Sequence, residues 1–196
     1  MFQVRIHGRG GQGVVTAAEL LSVAAFDEGR HAQAFPTFGS ERMGAPVVSF
    51  CRIDDRPIRT REPVGEPDAL IIGDVTLLHQ VDLFSGLSGD GYLLINTSRT
   101  ADELGIEAFL GRFRAERVRT CPATEIALEH LGRPLPNAAL LGGFAALTRE
   151  VTLESIIAAI RERFTGTVGE RNATAAAAAY RSVDSSKSEV ASAPTN

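Results

Sequence analysis

The stretch "IHGRGGQGVVTAAELL", Ile6 to Leu21, decides how this chain is read. A short strand pattern, "FQVRI" at residues 2–6, runs into Gly8, Gly10, Gly11 and Gly13. These glycines run directly into Val14, Ala17, Ala18, Leu21, Ala24 and Ala25 at helical spacing, with Gly29 as the stop. A strand, a glycine turn and a helix in that order form the corner where α/β proteins hold phosphate. Glycines let a ligand approach the backbone, and the first amides of the helix favour an anion. The spacing Gly8-x-Gly10-x-x-Gly13 fits the dinucleotide fingerprint, yet the acidic residue expected about 20 positions on is missing from "HAQAFPTFG", residues 31–39. No Gly-Lys-Ser/Thr follows, which excludes a Walker loop. Three readings stay open: an anion contact, a tight turn whose glycines serve packing alone, and, least favoured, a classical dinucleotide site.

Outward from this corner, Pro36 excludes a central strand at that point. "VVSFCRI", "DDRP" and "IRTRE" within Ala45–Glu62 read as an antiparallel hairpin. "ALIIGD" (69–74) and "GYLLIN" (91–96) are continuous apolar runs ended by polar residues, as buried parallel strands tend to be. A helix is expected over Val75–Phe84 between them. "AERVRTC" predicts a further strand, and "ATEIALEHLG" a helix ending at Gly132. "NAALLGGFAALT", Leu153–Phe164 and Glu170–Tyr180 predict three more helices. The fold class is therefore α/β: a three-layer Rossmann-like sheet, mostly parallel, with an antiparallel hairpin and a helical C-terminal part. One domain is expected over 1–181, with 182–196, "SVDSSKSEVASAPTN", as a flexible polar tail.

Composition narrows the function. A net charge of -4 with intermixed signs gives no electrostatic footprint for nucleic acid or an anionic membrane. No apolar run approaches the ~20 residues of a membrane span, and "MFQVRIHG" lacks a signal-peptide layout, so a cytoplasmic place is expected. Cys51 and Cys121 are the only cysteines. They cannot supply a four-cysteine cluster or zinc site, and their apolar neighbours predict buried core thiols.

Five segments, "RIHGRGGQGVVTAAELL", "AQAFPTFGSERMGAPVVSFCRIDDRPIR", "GDVTLL", "LLINTS" and "LGRPLPNAALLGGF", occur in order from Arg5 onward. Together they resemble the gamma subunit of 2-oxoacid:acceptor oxidoreductases of the pyruvate, 2-oxoisovalerate and phenylglyoxylate type. The resemblance implies a subunit of a complex that oxidatively decarboxylates a 2-oxoacid to its acyl-coenzyme A. It implies alpha, beta and delta-type partner chains, which carry thiamine diphosphate, Mg2+ and [4Fe-4S] clusters. Electrons would pass to ferredoxin, or to NAD through a further FAD-bearing subunit. No cofactor is expected on this chain alone, and the isolated chain is not expected to be catalytic. Its expected contribution is structural, with a share in binding coenzyme A.

On that reading Gly8, Gly10, Gly11 and Gly13 offer amides to phosphate, Arg9 adds a cation, and Gln12 and Thr16 add neutral hydrogen bonds. A 3′-phosphate would itself reject the missing ribose carboxylate. Arg42, within Ser40-Glu41-Arg42 between Gly39 and Gly44, is expected to meet a phosphate or a partner carboxylate. Asp74, Asn96 and Thr97 follow buried strands and are expected near the ligand, with helix capping as the alternative. Asn137 either caps the next helix or points into the cleft. His7 lies beside the loop and is expected to be structural. Fused pyruvate-type relatives place a lysine early in the helix after the loop, where this chain has Glu19. The alternatives are a stand-alone dinucleotide-binding oxidoreductase and a pure assembly scaffold.

Overall fold

Alternation along β1 (Phe2–Arg9) sets the architecture. Val4 and Ile6 point to one face of the sheet, and Arg5 and His7 to the other. All four are buried, so the strand lies inside the sheet rather than at its edge. The computed structural model describes residues 1–37 and 43–191, with side chains to Ser185. Beside β1 run β2 (His31–Pro36), β3 (Pro46–Asp54), β4 (Ala69–Ile72), β5 (Tyr92–Asn96) and β6 (Val118–Cys121), in the order β2-β3-β1-β4-β5-β6. β1, β4, β5 and β6 are mutually parallel, and β3 runs antiparallel to both β1 and β2.

One face is covered by helices: α1 (Val14–Asp27), α3 (Ala123–Leu131), α4 (Asn137–Thr148), α5 (Leu153–Arg163) and α6 (Gly166–Ala191). α4 is buried along nearly all its length, which its continuous apolar run requires. Gly142 lets it lie directly against α6: a Cβ there would stand 1.9 Å from the Ala176 carbonyl oxygen. The opposite face of β4 and β5 packs Leu70, Ile72, Leu93 and Ile95 under a mostly irregular segment. Its only α-helical turn among the described residues is α2 (Glu107–Leu110).

The structure moves three expectations. The antiparallel hairpin joins β3 back to β2, and residues 57–61 form no strand. Both edges of β3 are already occupied, by β1 and β2, so "IRTRE" has no edge left to pair with. Pro36 ends the outermost strand, where its missing donor does no harm. Val75–Phe84 yields only a 3-10 helix, Val75–His79. Leu77, Leu83 and Leu87 are all buried in the cluster that covers β4 and β5, and the chain carries them there through turns and irregular backbone over residues 80–87 rather than along a helix. Finally, α6 continues through Ser182 to Ala191, so the tail does not begin at 182. Val183 is fully buried and Asp184 pairs with Arg149, while the polar neighbours face solvent.

The sheet positions the site. Successive connections leave β1 toward β3 and β2, and leave β4 toward β5 and β6. The carboxyl ends of β1 and β4 therefore flank a topological switch point, where open α/β sheets gather ligands. The glycine turn after β1 and Gly73-Asp74 after β4 both emerge there.

Candidate anion site at the first glycine turn

Gly10 docks the turn onto the segment entering β3: its amide donates to the Ala45 carbonyl at 2.9 Å, and its carbonyl accepts from the Gly44 amide at 3.0 Å. Gln12 closes the turn on itself. Its Oε1 accepts from the Arg9 amide at 2.8 Å, and its own amide donates to the Arg9 carbonyl at 3.0 Å. Gly13 then starts α1 with φ 74, a left-handed conformation that β-carbons resist.

The helix so started has no side-chain cap. Among the described residues, no acceptor takes the amides of Val14, Val15 and Thr16, while that of Ala17 already bonds the Gly13 carbonyl. These open donors and the positive end of the helix face a cleft of about 330 Å³. Gly11, Thr16 and Asn137 line its polar side, and Val15, Leu135 and Phe164 its apolar side. Asn137 is 7% exposed, and its Nδ2 lies 2.6 Å from where a Gly13 Cβ would stand. Its side-chain amide has no hydrogen-bond partner among the described residues. A buried amide without a partner is uncommon, and this one opens onto the cleft.

The remaining expected residues divide. Arg9 lines the cleft, but its charge is committed: Nε stands 3.3 Å from Asp74 Oδ2, and Nη2 donates to Thr76 Oγ1 at 2.6 Å. Nη1 donates to the Gly44 carbonyl at 2.9 Å. Asn96 and Thr97 are not in the cleft. Asn96 donates to the Gly73 carbonyl and Thr124 Oγ1, both at 2.8 Å, and accepts from the Thr124 amide at 3.1 Å, capping α3. Thr97 Oγ1 accepts from the Arg99 amide at 2.9 Å. Both are spent on their own strand end: Asn96 caps α3, as the capping alternative had it, whereas Thr97 closes a turn and caps no helix. Arg42, with Ser40 and Glu41, lies outside the described residues.

Burial pushes the Asp74 carboxyl up, but hydrogen bonds from Thr76 and Gln12 and the Arg9 charge outweigh it and hold it below the usual range. His7 stands on the face of β1 away from α1; burial and the neighbouring Arg5 charge push it down to about 4. Cys51 and Cys121 are buried, and burial raises both thiols, Cys121 to about 12. Leu135 and Phe164 were not singled out as parts of this site from sequence. Asp74 was expected near the ligand, with helix capping as the alternative; it caps the 3-10 helix after β4 and does not line the cleft.

The family model described as "Pyruvate ferredoxin/flavodoxin oxidoreductase" matches residues 3–182. The chain belongs to this family. Pyruvate synthase subunit PorC of Methanothermobacter marburgensis is 49% identical over 182 residues, covering 92% of this chain and 96% of that one. The common gamma subunit of the pyruvate/ketoisovalerate oxidoreductases of Pyrococcus abyssi is 46% identical, covering 92% and 96%. In structure, the pyruvate oxidoreductase subunit PORC of Thermotoga maritima superposes with a TM-score of 0.80 at 35% identity, covering 92% of this chain and 95% of that one. Among the described residues, no helix is long and apolar enough to cross a membrane.

Proposed function

We propose that this chain is the gamma subunit of a multi-subunit oxidoreductase that converts pyruvate or a related 2-oxoacid to its acyl-coenzyme A, and that the α1 cleft holds a phosphate of coenzyme A. The observation that carries the reading is the convergence of three open helix amides and the open Asn137 amide on a cleft lined by no carboxylate among the described residues. An anion there gains several hydrogen bonds and the helix dipole while displacing no partner. The apolar wall of Val15, Leu135 and Phe164 suits the uncharged arm of such a ligand. The 2-oxoglutarate:ferredoxin oxidoreductase of Magnetococcus marinus, solved with coenzyme A bound, carries this fold within 31% of its chain, at 16% identity and a TM-score of 0.70. Thiamine diphosphate, Mg2+ and [4Fe-4S] clusters, on alpha, beta and delta-type partners, would supply decarboxylation and electron transfer, with ferredoxin as acceptor. The residues of this chain bind and orient.

The test is kinetic, in the assembled complex. Asn137→Ala removes one neutral hydrogen bond and should raise KM for coenzyme A about threefold to tenfold, with KM for the 2-oxoacid unchanged. Gly13→Ala brings both a strained φ and a Cβ against Asn137, and should act in the same direction. If both variants assemble normally and KM for coenzyme A stays put, the assignment is wrong.

A further inference from the structure

We infer that Asp74 is the positioning residue of this cleft: it holds the glycine turn in the shape that keeps the amides of Val14, Val15 and Thr16 open. The inference rests on the reading of the α1 cleft as a phosphate site. Asp74 does not line the cleft and so acts through other residues.

Its two oxygens have separate duties. Oδ1 accepts from the Thr76 amide at 3.0 Å and from the Thr76 hydroxyl at 2.5 Å, which starts the 3-10 helix after β4. Oδ2 accepts from Gln12 Nε2 at 2.8 Å and faces Arg9 Nε at 3.3 Å. Gln12 passes the constraint on, because its Oε1 accepts from the Arg9 amide. A carboxylate leaving β4 thereby fixes the backbone that leaves β1. Arg9 extends the same network to the Gly44 carbonyl at 2.9 Å and to Gln80 Oε1 at 3.2 Å. Gly44 in turn holds Gly10. Strand exit, turn and the segment entering β3 share one set of donors and acceptors.

That set needs a carboxylate. Asp74 accepts from Thr76 and Gln12, pairs in charge with Arg9 and donates nothing. In Asp74→Asn one oxygen becomes an NH2 group. Pointed at Gln12, it forces the Gln12 amide to flip, which turns NH2 against the Arg9 amide. Pointed at Thr76, it leaves the Thr76 amide without its acceptor. No rotamer of Asn serves every partner. The turn is then free to relax, and one relaxation open to α1 is to lengthen by a residue, closing amides on turn carbonyls.

The experiment compares Asp74→Asn, Gln12→Ala, the double variant and Asn137→Ala in the purified complex. Subunit stoichiometry, kcat, and KM for coenzyme A and for the 2-oxoacid are measured. Asp74→Asn should raise KM for coenzyme A about tenfold, the scale of lost second-layer support, with kcat at saturation within twofold. Gln12→Ala should do the same, and the double variant should be no worse than the worse single, because both cut one link. If Asn137→Ala raises KM for coenzyme A while Asp74→Asn leaves it unchanged, Asp74 has no positioning role and the phosphate site stands. If neither raises it, the site itself is misassigned and this inference falls with it. Additive effects in the double variant overturn the route through Gln12. Should Asp74→Asn fail to assemble, Gln12→Ala decides alone, since it leaves the Asp74 cap on Thr76 intact; an unchanged KM there refutes the proposal.

Discussion

Gly142 and Gly143 are neighbours on the buried helix α4, yet alanine should act on them in opposite directions. A Cβ at Gly142 would stand 1.9 Å from the Ala176 carbonyl oxygen and 2.8 Å from its Cα, where ordinary contact begins near 3.4 Å. Because the obstacle is backbone, α4 and α6 must separate by roughly 1.5 Å, which forfeits close contacts along the pair. Overpacking of this kind costs about 3 kcal/mol, against a gain of about 1 kcal/mol in helix propensity. The net loss of about 2 kcal/mol lowers Tm by roughly 4–8 °C for a chain of this length. At Gly143 the nearest atoms are side-chain ends, Val183 Cγ2 at 3.3 Å, Leu94 Cδ2 at 3.4 Å and Cys121 Sγ at 3.5 Å. A methyl fits there with small adjustments, so Gly143→Ala should be neutral or stabilising by up to about 1 kcal/mol. Thermal unfolding of the two full-length variants, followed by circular dichroism, reads both values. Equal Tm changes, or a larger loss at Gly143, would refute the argument that close backbone approach selects glycine at 142.

Three further outcomes are expected. His7 is neutral when folded, with a pKa of about 4 against 6.5 unfolded, so the unfolded chain takes up a proton first as pH falls. Stability is unaffected above pH 6.5 and drains away from there down to about 4, by on the order of 3 kcal/mol. Denaturant titrations of His7→Gln should show that slope reduced. Asn96→Ala strips three hydrogen bonds from a strand end and should cost about 2–3 kcal/mol in urea unfolding, with KM for coenzyme A unmoved; a KM effect would return Asn96 to the cleft. Truncation after Arg181 removes buried Val183 and the Asp184–Arg149 pair and should lower Tm by several degrees. Truncation after Ser185 should leave Tm nearly unchanged.

What could be read from the chain follows from how local the deciding physics is. The β1–turn–α1 corner, the buried strands β4 and β5 and the helix ending at Gly132 are written in short-range periodicity and stop signals, and they stand as read. The β3 pairing was not legible, because the partner of an antiparallel strand depends on which edges other strands have taken. Val75–Phe84 misled because its leucines look helical in isolation and serve a sheet face in space. α6 ran past Ser182 because one buried Val183 and one ion pair sufficed to dock a polar sequence. In the candidate site, Gly10, Gly11, Gly13, Thr16 and Asn137 were singled out from sequence, and the structure places them around one cleft. The use of Arg9 was not. An arginine beside a glycine loop suggests a free cation until Asp74, 65 residues away in sequence, is seen to claim it.

The pairing of Arg9 with Asp74 also sets how a ligand arrives and leaves. Among the described residues that line the cleft, Arg9 is the one cation, and Asp74 claims it. The open amides act only over the length of a hydrogen bond, so they give none of the long-range guidance that exposed arginines give. A grip that vanishes within an ångström or two of slippage would suit the proposed role, in which a molecule picked up on this chain is spent on another.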